Sequence, residues 1–317
     1  MPMPGRTIII SDTHLGRSRG SAGTPEQLRP LWAGANRLIV NGDLAELGDP
    51  HARARAARMV CRLQDLCDAD GVELLVISGN HDPLLTDVRD MDLCDGSIYL
   101  THGDVLHPAI SPWTTHAAEL EHWNRRALAM LSKQAKAGAK SDAESRLAAA
   151  QHAAHAVAIS HADDADERAR TRRADAPDER SPSRRQRLTR QARTAAVAMW
   201  SWHTLPRRAA EFMIEFRPQA RFFVFGHMHR QGIWRFGERV VINTGSYGLP
   251  GKPRAVVLKG DRLAVHAIQR TNDGHSLSAR AIAEFPIRPL PARQPRNAAS
   301  PAITDPNAAA PPTRRAA

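Results

Sequence analysis

Cysteine is scarce in this sequence: Cys61, Cys67 and Cys94 are the only three, an odd number with no Cys-x-x-Cys pair among them. That argues against a disulfide framework and a zinc knuckle, and the three are expected to be reduced, buried thiols. Long apolar runs are missing as well. Stretches such as Leu74 to Ile77 stop far short of the ~20 residues needed to cross a bilayer, so no transmembrane helix is expected. Residues 1–11 lack a basic segment followed by an apolar stretch of signal-peptide length and run straight into the strand-like Thr7 to Ile10, so the expected location is the cytoplasm. No self-similar period marks a repeat protein. G-x-x-x-x-G-K-S/T does not occur, which removes the P-loop. Acidic residues are in deficit, 33 against 44 lysines and arginines, and the resulting net charge of +11 favours an anionic partner.

The basic excess is concentrated. Between Arg168 and Arg193 stand ten arginines against three acids, Asp175, Asp178 and Glu179. Residues 286–317 hold eight prolines, five arginines and few large apolar side chains, too little to offset the entropy of ordering, and are expected to form a disordered tail. The remainder, residues 1–285, reads as one α/β domain. Strands rich in Ile, Val and Leu are expected at Thr7 to Ile10, Arg37 to Val40, Val72 to Ser78 and Ser97 to Leu100. A second group is expected at Arg221 to Phe225, Arg239 to Asn243, Ala255 to Leu258 and Leu263 to Ile268. Helically spaced Ala56, Met59, Val60, Leu63 and Leu66 lie between two of them, so helices should flank a layered sheet. Residues from about 105 to 220 form a helical insertion. Its first helix carries the stripe Leu120, Trp123, Ala127, Leu128 and Leu131, an Ala-rich stretch runs to Ile159, and a helix over Ala195 to Thr204 should break at Pro206. Four of the six tryptophans, Trp113, Trp123, Trp200 and Trp202, fall in this insertion, where they either pack it onto the domain or line an apolar pocket.

Five short polar motifs sit where expected strands give way to loops. They are Ser11-Asp12-Thr13-His14-Leu15-Gly16, Asn41-Gly42-Asp43, Gly79-Asn80-His81-Asp82, Thr101-His102-Gly103-Asp104 and Gly226-His227-Met228-His229. Any one alone is an ordinary turn or cap. Together, at the carboxyl ends of strands in an open α/β sheet, they can converge on one crevice.

With its D-x-H, G-D, G-N-H-D, H and G-H-x-H motifs in order, the chain resembles the calcineurin-like metallophosphoesterases over residues 6–104 and 221–260. The resemblance implies a layered β-sandwich flanked by helices and two divalent metal ions, manganese by expectation, with iron or zinc as alternatives for a nitrogen and oxygen ligand set without cysteine. It further implies Asp12, His14, Asp43 and His229 on one ion and Asp43, Asn80, His102 and His227 on the other, with Asp43 as the bridge. The i, i+2 spacing of Asp12 and His14, repeated in His227 and His229, would point each pair to one side of an extended backbone. Two divalent ions against the two carboxylates Asp12 and Asp43 leave the site cationic, suited to a phosphate and to the charge of its transition state. The implied reaction is hydrolysis of a phosphodiester, phosphomonoester or pyrophosphate bond by a hydroxide bridging the ions. His81 is read as the catalytic non-ligand, donating to the substrate or protonating the leaving oxygen, with Asp82 fixing its ring. His51, His116, His122, His152, His155 and His161 carry no such pattern.

The expected substrate is a phosphorylated small molecule, a nucleotide or a lipid-linked phosphate. His102-Gly103-Asp104, the helical insertion and Glu46, three residues after Asp43, resemble the UDP-2,3-diacylglucosamine pyrophosphohydrolases of lipid A synthesis. That assignment implies peripheral contact with an anionic inner membrane. The chain departs from the subfamily at His81, where arginine is usual, and at Ala45, where an aromatic is usual. Positive charge alone keeps a nuclease acting on nucleic acid in view. A noncatalytic protein-binding scaffold would be marked by loss of a motif histidine, and none is lost.

Overall fold

Three consecutive isoleucines set the first layer boundary. In β1 (Met3–Ile10) Ile8 and Ile10 face one way and Ile9 the other, the period of two that lets one strand serve two cores. The computed structural model describes residues 3–114, 116–135, 142–171, 184–248, 251–288 and 290. After β1 come α1 (Pro25–Leu28), β2 (Arg37–Asn41), α2 (Arg53–Ala69), β3 (Glu73–Ile77), β4 (Asp90–Leu93) and β5 (Ile98–Thr101). Three long helices follow, α3 (Ala117–Ala135), α4 (Asp142–Thr171) and α5 (Arg184–Phe216). The chain then forms β6 (Phe222–Phe225), β7 (Gly232–Phe236), β8 (Arg239–Asn243), β9 (Arg254–Gly260), β10 (Arg262–Thr271), β11 (Gly274–Leu277) and β12 (Ala283–Pro286).

The strands make two sheets. One has the order β11-β10-β9-β1-β2-β3, with β12 also paired to β10; the other has the order β4-β5-β6-β8-β7. Ile9, Ile39, Ile77, Ile98, Leu100, Phe222, Val224 and Ile242 meet between them as the central core. Outside the first sheet α2 lays Ala56, Leu63, Leu66 and Cys67 on Ile8, Ile10, Leu38 and Val40. Outside the second, α5 lays Leu205, Ala209, Phe212 and Met213 on Tyr99, Phe223, Phe225 and Val241. The result is the expected α/β sandwich flanked by helices.

This architecture aligns the motif loops. β1, β2 and β3 run parallel in matched register, Ile10 opposite Val40 and Val40 opposite Val76, so their carboxyl ends lie in one row. β5, β6 and β8 are parallel in the other sheet. Asn41 ties the two rows together at that edge, its Nδ2 donating to the carbonyls of Thr101 and Val224, both at 3.0 Å.

Several expectations are corrected. Pro206 does not break α5, which runs through it. The missing N–H costs one helical bond, but Leu205 and Ala209 on either side are fully buried against the second sheet, and that packing holds the axis. Cys61 is exposed, since it lies on the solvent side of α2, whereas Cys67 is buried. The segment read as a disordered tail begins inside the fold: Pro286 pairs with Arg262 in β12, and the Ile287 N–H donates to Asp261 O at 2.7 Å. Residues 291–317, like 172–183 of the arginine-rich run, lie outside the described residues.

Candidate metal centre

Backbone strain marks the site before any side chain is considered. Asp12, His14, Asp43, His227 and His229 all have φ between 47° and 66°, in the left-handed region that L-residues enter at a cost. The extended geometry expected for Asp12-x-His14 and His227-x-His229 is therefore wrong. Each strand ends in a tight turn that is held by bonds between motifs: Asp12 N–H donates to Gly42 O (3.1 Å), His14 N–H to Asp43 O (3.0 Å) and Gly226 N–H to His102 O (2.9 Å).

The motif glycines make room for ligands belonging to other motifs. A Cβ on Gly42 would collide with the ring of His102, one on Gly79 with Oδ1 of Asp43, and one on Gly226 with Oδ2 of Asp12. Gly42 also needs its φ of +83°.

The loops bring Asp12, His14, Asp43, Asn80, His81, His102, His227 and His229 together. Ligand atoms of Asp12, His14, Asp43 and His229 lie within 4.8 Å of one another. His14 Nε2 is 3.2 Å from His229 Nε2 and 3.9 Å from Asp43 Oδ2, while His229 Nε2 is 3.4 Å from Asp12 Oδ1. A second group adjoins it. His102 Nε2 lies 3.2 Å from Asp43 Oδ2, 3.3 Å from Asn80 Oδ1 and 3.2 Å from His227 Nδ1. The outer nitrogens of this pair are held by backbone: His102 Nδ1 at 3.2 Å from Asn41 O, His227 Nε2 at 2.8 Å from Ile110 O. Such anchoring orients each ring and turns the inner nitrogen toward the other site groups. Ile110 is buried, has φ 55° and packs with Leu120, Ala150, Ala153 and Val157, while Trp113 lies 5.0 Å from the His227 ring, so the helical segment reaches one candidate ligand directly.

Glu46 is the residue whose role the sequence did not disclose. Its carboxylate lies 2.8 Å from His14 Nδ1, 2.9 Å from His81 Nδ1 and 3.0 Å from Arg17 Nε. It is Glu46, and not Asp82, that holds the His81 ring. Asp82 instead accepts from Gly79 N–H (2.7 Å) and Ala45 N–H (3.2 Å), latching the loop that carries Asn80 and His81. Asp104 of the fourth motif receives the Val105 N–H at 3.1 Å and lies 3.6 Å from Arg89. His51, His116, His122, His152 and His155 join no candidate metal cluster among the described residues, and the side chain of His161 lies outside them.

The electrostatics fit divalent cations. Burial works to raise the carboxyls of Asp12 and Asp43, but neighbouring imidazoles, His229 and His102 for Asp12, His102 and His81 for Asp43, outweigh it and keep both below the usual range. Glu46 is likewise lowered against burial, by His14 and His81. Reciprocally, burial opposes protonation of His102 and His81, yet Asp43 draws His102 up to about 10, and Asp43 with Glu46 draws His81 up to about 9. Burial and then His102 push His227 down to about 4, burial lowers His14, and burial with Asp43 raises Asp82 to about 6. Buried carboxylates that must borrow protons from histidines to balance their charge form a site that a divalent ion can balance instead.

The comparisons come to the same region of the chain. A family model described as calcineurin-like phosphoesterase matches residues 5–231. No curated protein matches the sequence significantly. Similar solved structures include a dimetal phosphatase from Danio rerio, at 12% identity over 91% of this chain and 100% of that one, with a TM-score of 0.43. A phosphoesterase from E. coli has 16% identity over 89% of this chain and 100% of that one, with a TM-score of 0.37. A Vps29 single mutant from Entamoeba histolytica has 9% identity over 88% and 99%, with a TM-score of 0.40.

Proposed function

We propose, given that the chain belongs to the calcineurin-like phosphoesterase family, that it hydrolyses a phosphodiester, phosphomonoester or pyrophosphate bond at a binuclear centre. In this reading Asp12, His14, Asp43 and His229 hold one divalent ion and Asp43, Asn80, His102 and His227 the other, with manganese first in order of expectation. The observation that carries it is Asp43: one oxygen, Oδ2, stands 3.2 Å from His102 in one group and 3.9 Å from His14 in the other. A carboxylate can serve two cations at once, which one imidazole nitrogen cannot. The two ions, when bound, polarise a phosphoryl oxygen and supply a water acidic enough to attack near neutral pH.

The chain's own residues do the remaining work. Asn80 is neutral and leaves the site with fewer negative charges than the two divalent ions carry positive ones, so an anionic substrate is attracted. His81 is partly exposed, 30% accessible, with Nδ1 on Glu46 and Nε2 4.0 Å from Asp43. From there it delivers a proton to the departing oxygen. Cations at Asp43 offset the carboxylate that raises His81, so Glu46 becomes the group that keeps this ring protonated and aimed. Every motif histidine being present favours catalysis over a scaffold role. Hydrolysis of bis-p-nitrophenyl phosphate with Mn²⁺, lost with chelator and restored by metal, tests the reading; a metal-loaded protein inert toward diesters, monoesters and diphosphates would contradict it.

A lipid-linked substrate is a second reading favoured by one observation. Ile159, Met199 and Trp200 on the long helices and Leu84 beside the His81 loop are 47%, 51%, 50% and 64% exposed, apolar surface of the kind that meets acyl chains. No helix of the described residues is long and apolar enough to cross a membrane, so such contact would be peripheral. Faster turnover of UDP-2,3-diacylglucosamine than of the deacylated UDP-sugar supports it, and equal rates remove it. Turnover of single-stranded DNA at ~150 mM salt, where charge alone binds weakly, would point to the nuclease.

A further inference from the structure

Beside the metal centre, on the His229 side, lies a cavity of about 470 Å³ lined by Arg17, Arg19, Gly20, His229, Tyr247 and Gly248. It is built from two loops in close contact. A Cβ on Gly248 would come within 2.9 Å of Gly20 O, so glycine at that position lets the β8–β9 loop close against the loop after β1. The second loop is tied to the site at both ends of its first turn: Arg17 N–H donates to His14 O, and Ser21 Oγ to Arg17 O, each at 3.1 Å.

The charge of this cavity is one-sided. Two guanidinium groups line it and no carboxylate does. Arg17 Nε lies 3.0 Å from Glu46, and among the described residues no hydrogen bond ties either guanidinium to another protein group. Glu46 is itself shared with His14 and His81 and does not cancel the pair. Planar guanidinium donors without protein acceptors, beside an apolar ring wall from Tyr247, are suited to phosphoryl oxygens. His229 belongs both to this cavity and to the metal cluster, so an anion seated here is next to the scissile group.

We propose that Arg17 and Arg19 form a subsite for a second phosphoryl group adjacent to the one attacked, so that the substrate is a diphosphate and not a simple diester. This rests on the phosphoesterase reading above. It is tested without turnover by measuring, at one fixed free Mn²⁺ concentration, the affinities of methylenediphosphonate and methylphosphonate for the wild type and for Arg19→Gln, Arg17→Gln and Arg62→Gln. Arg62 is an exposed helix residue paired with Glu26 and controls for net charge. The wild type is expected to prefer the diphosphonate, and each of the first two variants to shrink that preference about tenfold, the worth of a charge-assisted contact, while Arg62→Gln does not. No preference in the wild type, an unchanged preference in both cavity variants, or an equal loss in Arg62→Gln overturns the subsite. Preference as expected in a protein that hydrolyses no phosphoester would sink the hydrolase reading and leave the subsite standing; hydrolysis without preference would sink the subsite alone.

Discussion

Replacing Gly42 by alanine isolates the link between backbone and metal site. The glycine sits at φ +83°, and an added Cβ would overlap the His102 side chain at Nδ1, Cγ and Cβ. The left-handed backbone alone should cost about 1 to 2 kcal/mol, and forcing a fully buried ring aside about 1 to 3 more, together about 2 to 5 kcal/mol. Gly71 supplies the control. It ends α2 at φ +66° with nothing within 4 Å of a built Cβ, so Gly71→Ala should show only the first cost. Urea unfolding followed by tryptophan fluorescence gives both losses. Metal content after equilibration at graded free Mn²⁺ gives the second readout: displacing His102 should weaken one of two equivalents about 10- to 100-fold in Gly42→Ala and neither in Gly71→Ala. If both variants lose the same stability and bind metal as the wild type does, the argument that the motif glycine exists to admit His102 is refuted.

Other substitutions separate the remaining roles. Glu46→Gln should lower activity or metal affinity about 10- to 100-fold, because both His14 and His81 lose their carboxylate partner; wild-type kinetics and metal content would remove Glu46 from the account. His81→Ala should retain both metals and lose about 10² to 10⁴ in rate, less with p-nitrophenolate as leaving group, which hardly needs a proton; loss of metal would make the residue structural. Asp82→Ala leaves the N–H groups of Gly79 and Ala45 without their acceptor and should cost about 2 to 4 kcal/mol in urea unfolding. A variant as stable as the wild type would show that the latch carries no load.

Much of this was legible in the sequence because the motif order and the strand pattern reinforce each other. Ile8 to Ile10, Leu38 to Val40 and Phe222 to Phe225 are apolar on both faces, as strands buried between helix and sheet must be. β4 escaped detection because Asp90-Met91-Asp92-Leu93 is an edge strand with acids at alternate positions, where Arg217 meets both carboxylates. β7 is the other edge of the same sheet and opens on Gly232. The spacing of Asp12 with His14 and of His227 with His229 suggests extended backbone because it reports only which side chains are near in sequence, whereas the left-handed backbone is imposed by bonds to loops more than twenty residues away. The same holds for Glu46 and Asp82. Both are carboxylates close to a motif, and only the tertiary register decides that the first meets two histidines and the second two amides.

Counting bound metal tests most directly the proposal that Asp43 serves two ions. Wild-type protein and Asp43→Ala, each confirmed as folded by circular dichroism, would be equilibrated with Mn²⁺, separated from free ion and assayed for metal per chain. Two equivalents in the wild type, with both weakened by the single substitution, is the expected result. Equal stoichiometry and affinity in the two proteins would contradict a centre bridged by Asp43.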